Sequence, residues 1–178
     1  MKHHSTKKLI VLSLLTASGL LLFGIESFLP QPLPGGKIGL SHIATLLALY
    51  LYDVEAAFWV VLLRIFIVAL LFGGFFNPIF YFALTGGVLA TAVMGVVKAN
   101  RWGISIVGNS ILGAFTHNTS QLILAYFLFV RKGELFWLFP YLTLVSIVSG
   151  TLIGVFSKLL INYIQKSDDR SLSEIKAS

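Results

Sequence analysis

The chain has 178 residues, of which 57% are apolar and only 11% are charged. Soluble domains carry about 25% charged residues, and a chain this short needs them because much of its surface would face water. The composition therefore argues against a soluble enzyme, and the absence of cysteine excludes disulfides and thiolate metal sites. We interpret the chain as an integral membrane protein surrounded by lipid.

The net charge of +6 is distributed as in a membrane protein rather than a nucleic-acid-binding protein. Basic residues adjoin long apolar runs or lie in the polar C-terminal segment, as do Lys2, Lys7, Lys8, Lys158, Lys166, Arg170 and Lys176. A nucleic-acid-binding protein concentrates such residues on one face, whereas basic ends beside apolar spans are typical of the positive-inside rule. We therefore expect membrane lipid, and no nucleic acid, as a partner.

The first apolar run, Leu9–Leu29, is long enough to cross a bilayer. A helix rises 1.5 Å per residue, so this run would span roughly 30 Å. A signal peptide has a shorter apolar core that ends in a small-x-small cleavage site. The stretch Ala17-Ser18-Gly19 is similar to such a site but leaves an apolar run beyond it, so a retained span is the better interpretation.

Further apolar runs predict more helices. The segment 30–37 holds three alternating prolines and a double glycine, which exclude a helix. The short run Ile38–Tyr52 predicts a tilted, broken or re-entrant second helix. Four more spans are predicted at Val54–Gly73, Ile79–Val97, Ile104–Val130 and Leu135–Tyr163. We expect one all-α membrane domain over residues 1–165, a bundle of six transmembrane helices, followed by a solvated cytoplasmic tail over residues 166–178.

Six spans would place both termini on the same side of the membrane. By that parity the terminal side holds nine Lys and Arg residues, whereas the other side holds Lys37, Arg131 and Lys132. This excess predicts that both termini are cytoplasmic in a multi-pass protein of the plasma membrane. A re-entrant second run would leave five spans and a weaker charge asymmetry.

Arg64 stands near the middle of the third predicted span. A cation at this depth costs about 2.5–3.5 kcal/mol on insertion scales, so it normally faces a polar interior and a partner. Glu26 also lies within an apolar run, but its depth differs from that of Arg64 by roughly 9 Å at helical rise. Arg64 is therefore either structural, bound to Glu26 or to carbonyls, or the anchor for an anionic group of a ligand, which its guanidinium fork suits.

The fifth predicted span carries a polar stripe that should face the bundle interior or a wet cavity. At about 100° per residue, one face of this helix holds Ser110, Gly113, Ala114, His117 and Gln121. His117 could contact a ligand, bond to a neighbouring helix or bind a metal. His42, at the start of the second run, has a similar ambiguity, and two histidines without an acidic cluster are a weak metal signal.

Small residues recur at four-residue spacing in three runs, which lets membrane helices approach closely. They are Ser13 with Ala17, Gly87 with Thr91 and Gly95, and Gly150 with Gly154. Packing within one bundle is the simpler explanation, and one stripe could instead dock another membrane protein.

Enzyme motifs are scarce in this sequence. It contains no Gly-rich nucleotide loop, no nucleophile elbow and no paired metal-binding carboxylates within an apolar run. We expect no catalytic residue, no metal site and no cofactor.

Three stretches together are fairly specific: Glu26-Ser27-x-Leu29-Pro30-x-Pro32-x-Pro34-Gly35-x-Lys37-x-Gly39-Leu40, Leu71-Phe72-Gly73 and Gly113-Ala114-x-x-His117-Asn118-x-x-Gln121-Leu122. With them, the chain resembles the heptaprenyl diphosphate synthase component I family, also called the Gx transporter family. The resemblance covers residues 9–160. His42 stands where this family commonly has asparagine.

The resemblance implies two different functions. As part of a synthase the chain would be at most an accessory membrane subunit, because catalytic prenyl diphosphate synthases use aspartate-rich motifs that this sequence lacks. The family is also similar to the substrate-binding S components of energy-coupling-factor (ECF) transporters, which are six-helix membrane proteins. Such a component would capture a small molecule and work with an ATPase module and a membrane coupling subunit.

Our main hypothesis is a substrate-binding subunit for uptake of a vitamin, a quinone precursor or an isoprenoid-like compound. The alternative is a non-catalytic accessory subunit of heptaprenyl or polyprenyl diphosphate synthesis. The expected ligand site lies toward the outer side and comprises Glu26, Pro34, Lys37, His42, Arg64, His117, Asn118 and Gln121. By the resemblance, Ser13 and Ala17 would dock the coupling subunit.

Overall fold

The structure is a computed structural model that describes residues 2–28, 39–71, 74–75 and 77–177. Six α-helices follow one another as α1 (Lys2–Phe28), α2 (His42–Leu51), α3 (Val54–Leu71), α4 (Pro78–Ala99), α5 (Ile106–Ala125) and α6 (Phe139–Ala177). A π-helical turn, Tyr126–Val130, and a 3-10 helix, Gly133–Leu138, connect α5 to α6. The described residues contain no strand, which confirms the all-α prediction.

Four helical stretches in the described part are long and apolar enough to cross a membrane: Lys8–Phe28, Val54–Leu71, Pro78–Ala99 and Gly133–Ser167. The second helix is short, as the sequence predicts, because ten residues of α2 reach only about 15 Å. Helix α5 has 20 residues but carries many polar side chains. The count of six spans therefore stays a prediction.

The outside of the bundle is apolar. Leu21 of α1, Leu70 of α3 and Trp137 before α6 are 69%, 72% and 85% exposed. Monomeric soluble proteins rarely expose large contiguous apolar surfaces. Lipid is the environment that such a surface fits, and the chain is a multi-pass membrane protein.

Helix α2 lies inside the bundle, against α1, α3 and α6. Its residues from Ile43 to Leu49 are all buried, which explains why the helix is apolar on every side. It runs antiparallel to α1, since Glu26 is bonded to Gly39 before the start of α2 and Lys8 is bonded to Asp53 after its end. The first turn of α2 therefore lies near the middle of the long helices.

Charged groups hold the other end of α2. Lys8 donates to Asp53 at 2.8 Å, and the second carboxylate oxygen of Asp53 accepts the backbone N–H of Ala56 at 2.7 Å. These bonds keep the pKa of Asp53 below its ordinary value, with the Lys8 bond as the largest cause. Lys98 of α4 donates to the carbonyls of Leu49 and Tyr52. These carbonyls lie at the C-terminal end of α2, where the negative end of the helix dipole attracts a cation.

The glycine stripes of α4 and α6 serve packing within the bundle. A Cβ at Gly150 or Gly154 would lie 2.6 Å or 2.7 Å from a Cα atom of α5, so the α5 and α6 backbones touch. A Cβ at Gly87 or Gly95 would collide with side chains of α3. By contrast, Ser13 and Ala17 of α1 are exposed.

Residues 166–177 continue α6. The tail predicted there is thus helical in its backbone, and its exposure to solvent stays a prediction. Mixed charge suits such an extension because opposite charges three or four residues apart support an exposed helix.

Candidate ligand site

An arginine and two histidines meet inside the bundle, at the first turn of α2. We call Arg64, His42 and His117 the interior cluster. They come from α3, α2 and α5, respectively; α2 and α3 are consecutive, and α4 separates them from α5. Arg64 is close enough to both histidines to interact with them electrostatically.

Arg64 is only 6% exposed. Its side chain lies beside Gly19 of α1, where an added Cβ would lie 3.5 Å from Cδ of Arg64, an ordinary contact, and a tighter 3.2 Å from Cβ of Ala44. Arg64 is therefore near both α1 and the first turn of α2. Its Nη1 is buried and has no hydrogen-bond partner among the residues that the structure describes. A buried donor without a partner is costly, and more so when it is charged.

The imidazole rings of His42 and His117 lie 4.8 Å apart between centroids, at an interplanar angle of 77°. The ring of His42 is placed by Gly39, which has φ of 80° and whose added Cβ would lie 3.0 Å from that ring. Glycine is the residue that adopts this left-handed conformation without strain. The turn before α2 thus aims His42 toward α5.

Gly86 and Gln121 position the ring of His117. A Cβ at Gly86 would lie 2.7 Å from two atoms of this ring, so α4 has no room for a side chain there. The Gln121 amide nitrogen donates to the carbonyl of Phe82 at 3.2 Å and lies 3.0 Å from Nε2 of His117. Because this nitrogen is a donor, Nε2 accepts, and the proton of the neutral ring is assigned to Nδ1.

Glu26 stands beside the cluster without pairing directly with Arg64. It is 5% exposed, and its Oε1 accepts the backbone N–H of Gly39 at 2.5 Å. Its charge acts on Arg64 from a distance, but within the described ranges the structure records one salt bridge, between Lys8 and Asp53. The depth difference between Glu26 and Arg64 accounts for this.

The other residues expected at the site are distributed differently. Asn118 follows His117 but points to the far side of α5, where it donates to Ser146 of α6 at 2.8 Å. The structure therefore brings Asn118 to the α5–α6 interface and not to the interior cluster. Pro34 and Lys37 lie outside the described residues.

The polar stripe of α5 faces the interior, as predicted. Ser110 and Gly113 line a cavity of about 20 Å³ next to His42, together with Leu46 and Met94. This volume has room for about one water molecule. A second, open depression of about 390 Å³ lies on the apolar outside, lined by Thr119, Leu122, Ile123, Phe136 and Phe139.

The sequence alone does not identify two glycines that shape the interior cluster. Gly19 lets α1 approach Ala44 of α2 beside Arg64, and Gly86 leaves room for the ring of His117. The sequence offers only a faint signal for each, because glycine in an apolar helix has many packing roles. In the described part of the chain, no three His, Asp or Glu side chains come close enough together to hold a metal ion.

One comparison with known proteins, the match to a family model, agrees with the resemblance seen in the sequence. The model of a family described as heptaprenyl diphosphate synthase component I matches residues 15–160. No curated protein and no solved structure matches the chain. Since the matched region covers most of the apolar helices, the chain belongs to the heptaprenyl diphosphate synthase component I family.

Proposed function

We propose that this chain is a non-catalytic membrane subunit of polyprenyl diphosphate synthesis. The observation that carries the proposal is the family match over residues 15–160. The apolar helices favour a role at the membrane, where a long prenyl product would partition because each buried CH₂ contributes about 0.8 kcal/mol. The lack of aspartate-rich motifs assigns the chemistry to a separate subunit.

Within that role, the interior cluster would bind a small molecule. His42, Arg64 and His117 would supply its polar contacts, since the two histidine rings touch and Gln121 fixes His117. Glu26 would act by holding the turn at Gly39. We keep Pro34 and Lys37 in the proposed site as residues that would approach a ligand from the outer side, and we leave out Asn118 because it is bonded to Ser146 at the α5–α6 interface.

Affinity purification of the full chain from its native membrane tests the proposal. We expect a soluble prenyl diphosphate synthase subunit to purify with it, and the prenyl product of the pair to differ in length or yield from that of the soluble subunit alone. Recovery of the chain without any such subunit, with unchanged products on mixing, would contradict the proposal.

The second candidate function is ligand capture for an uptake transporter with an ATPase module and a membrane coupling subunit. One observation favours it: Ser13 and Ala17 are exposed on α1, while the glycine stripes of α4 and α6 are used inside the bundle. An exposed small-residue stripe permits close approach of a partner helix. Ala17→Leu should then abolish co-purification with a membrane partner, whereas Ala17→Ser should preserve it.

A further inference from the structure

The first turn of α2 is a polar element at an unusual depth. It lies midway along the long helices, and Ser41 before it is 6% exposed. The backbone N–H groups of His42 and Ile43 are bonded to the carbonyls of Gly39 and Leu40, but the side chain of Ser41 makes no capping bond. The positive end of the helix dipole is therefore directed into the protein interior, and the Glu26 carboxylate lies at the same turn, where it accepts the N–H of Gly39.

Arg64 adds a full positive charge at the same place. It is buried near Ser41 and Ala44, since all three approach Gly19, and within the described part of the chain its Nη1 has no hydrogen-bond partner. The N-terminal end of α2 and the side chain of Arg64, which belongs to α3, are two separate sources of positive potential at this place. Half-helix N-termini in the membrane interior are suited to anionic groups for this electrostatic reason.

Neighbouring groups add one carboxylate and two imidazole rings. The Glu26 carboxylate accepts the N–H of Gly39, a bond that does not neutralise a carboxylate, and among the described residues it forms no ion pair with Arg64. The Nδ1 of His117 is buried against Gly86 of α4, and His42 packs against the ring of His117. An incoming anion would therefore meet the guanidinium of Arg64 and the N-terminal end of α2.

We infer that the first turn of α2 and Arg64 bind the compact anionic group, a phosphate or a carboxylate, of an otherwise apolar ligand. This inference rests on the proposed function, whose ligand it places in a chemical class. The cavity beside His42, lined by α2, α4, α5 and α6, has room for about one water molecule, so binding of a larger anionic group requires side chains or helices beside Arg64 to move. The apolar remainder of the ligand stays among the helices or in lipid.

Binding is measured with the purified full chain in lipid nanodiscs, by calorimetry and by thermal unfolding. The three probes are inorganic diphosphate, farnesyl diphosphate and palmitate, which separate a free anion from a prenyl diphosphate and a carboxylate lipid. We expect at least one probe to bind and raise Tm. Arg64→Met should abolish that binding, and Arg64→Lys should weaken it roughly tenfold because the planar fork is lost.

Arg101→Met is the matched control, since Arg101 is an exposed arginine outside the helices. It should bind the probe as the wild type does. If Arg64→Met does not fold, the wild type labelled with ¹⁵N-arginine decides: the probe should shift the Arg64 signal and leave the Arg101 signal in place. No binding of any probe, equal binding by the Arg64 variants, or an unshifted Arg64 signal would overturn the inference.

The binding experiment tests the anionic-group inference separately from the proposed function. Association with a synthase subunit without anion binding would refute only the anionic-group inference. Anion binding through Arg64 without such association would support this inference and refute the synthase role.

Discussion

The rings of His42 and His117 meet edge to face, 4.8 Å apart, although 75 positions separate the two residues in sequence (117 − 42). His42 is the first residue of the short, buried α2, and His117 lies midway along α5, which carries many polar side chains. Arg64 lies near enough to act electrostatically on both. This contact fixes the interior cluster, because moving either ring changes the surroundings of the other.

Gly86→Ala should displace His117 and loosen the cluster. The added Cβ would lie 2.7 Å from the ring, and overpacking of this kind typically costs 1–3 kcal/mol, about the range we expect here. Thermal unfolding in detergent measures the loss, and histidine NMR signals report the ring movement. Gly24→Ala is the control, because a Cβ at Gly24 meets nothing within 4 Å. Equal Tm values for both variants would contradict this role of Gly86.

Gly154→Ala should separate α5 from α6. Its Cβ would lie 2.7 Å from Cα of Val107 and 2.9 Å from Cβ of Ser110. Backbone atoms cannot rotate away as a flexible side chain can, so we expect a loss of about 1–3 kcal/mol and a lower Tm. Gly133→Ala, at a position with open space, should leave Tm nearly unchanged. A stable Gly154→Ala variant would mean that the two helices are not in contact.

Asp53 should contribute stability that depends on pH. Its lowered pKa means that the folded state favours the ionised form, so its contribution is present at neutral pH and disappears as the pH falls through that lowered value. The Lys8 pair is partly exposed, at 35% and 51% for the two side chains, so solvent screens it and its contribution to stability should be small.

Two variants separate the two bonds of Asp53. Asp53→Asn retains an oxygen that can accept from Ala56 but loses the ion pair, whereas Asp53→Ala loses both. The difference in unfolding free energy between the wild type and Asp53→Asn should shrink at acidic pH. A difference that stays constant from neutral to acidic pH would show that the ion pair does not stabilise the fold.

Single cysteines test the orientation, since the chain has none of its own. Arg101→Cys lies in the short loop after α4, and Arg131→Cys lies in the connection between α5 and α6; both positions are exposed. An impermeant thiol reagent added outside cells should label position 131 and spare position 101 until the membrane is opened. The reverse labelling pattern would show that the chain has the opposite orientation to the one predicted.

Much of the helical architecture could be predicted because its signals are local. Lys7 and Lys8 precede the first long apolar run, and Pro78 at the start of α4 follows the capping residue Asn77. The short second run predicts a short α2, since length is read directly from sequence. Gln121 follows His117 by about one helical turn, so their contact can also be predicted from the spacing in the sequence.

The arrangement around Arg64 could not be predicted because it depends on packing between distant elements. Glu26 is bonded to the backbone of Gly39, which no side-chain pattern reveals. Asn118 adjoins His117 in sequence, yet one residue of helical rotation directs it to Ser146 of α6. The proximity of Gly19 to Arg64 and Ala44 exists only once α1 packs against α2 and α3.

The most direct test of a ligand site in the interior cluster is mass spectrometry of small molecules retained by the natively purified chain. Wild type and Arg101→Met should retain the same anionic, largely apolar compound, and Arg64→Met should lack it at equal protein amounts. The same compound in equal amounts from the folded Arg64→Met variant, or no compound from the wild type, would contradict the account.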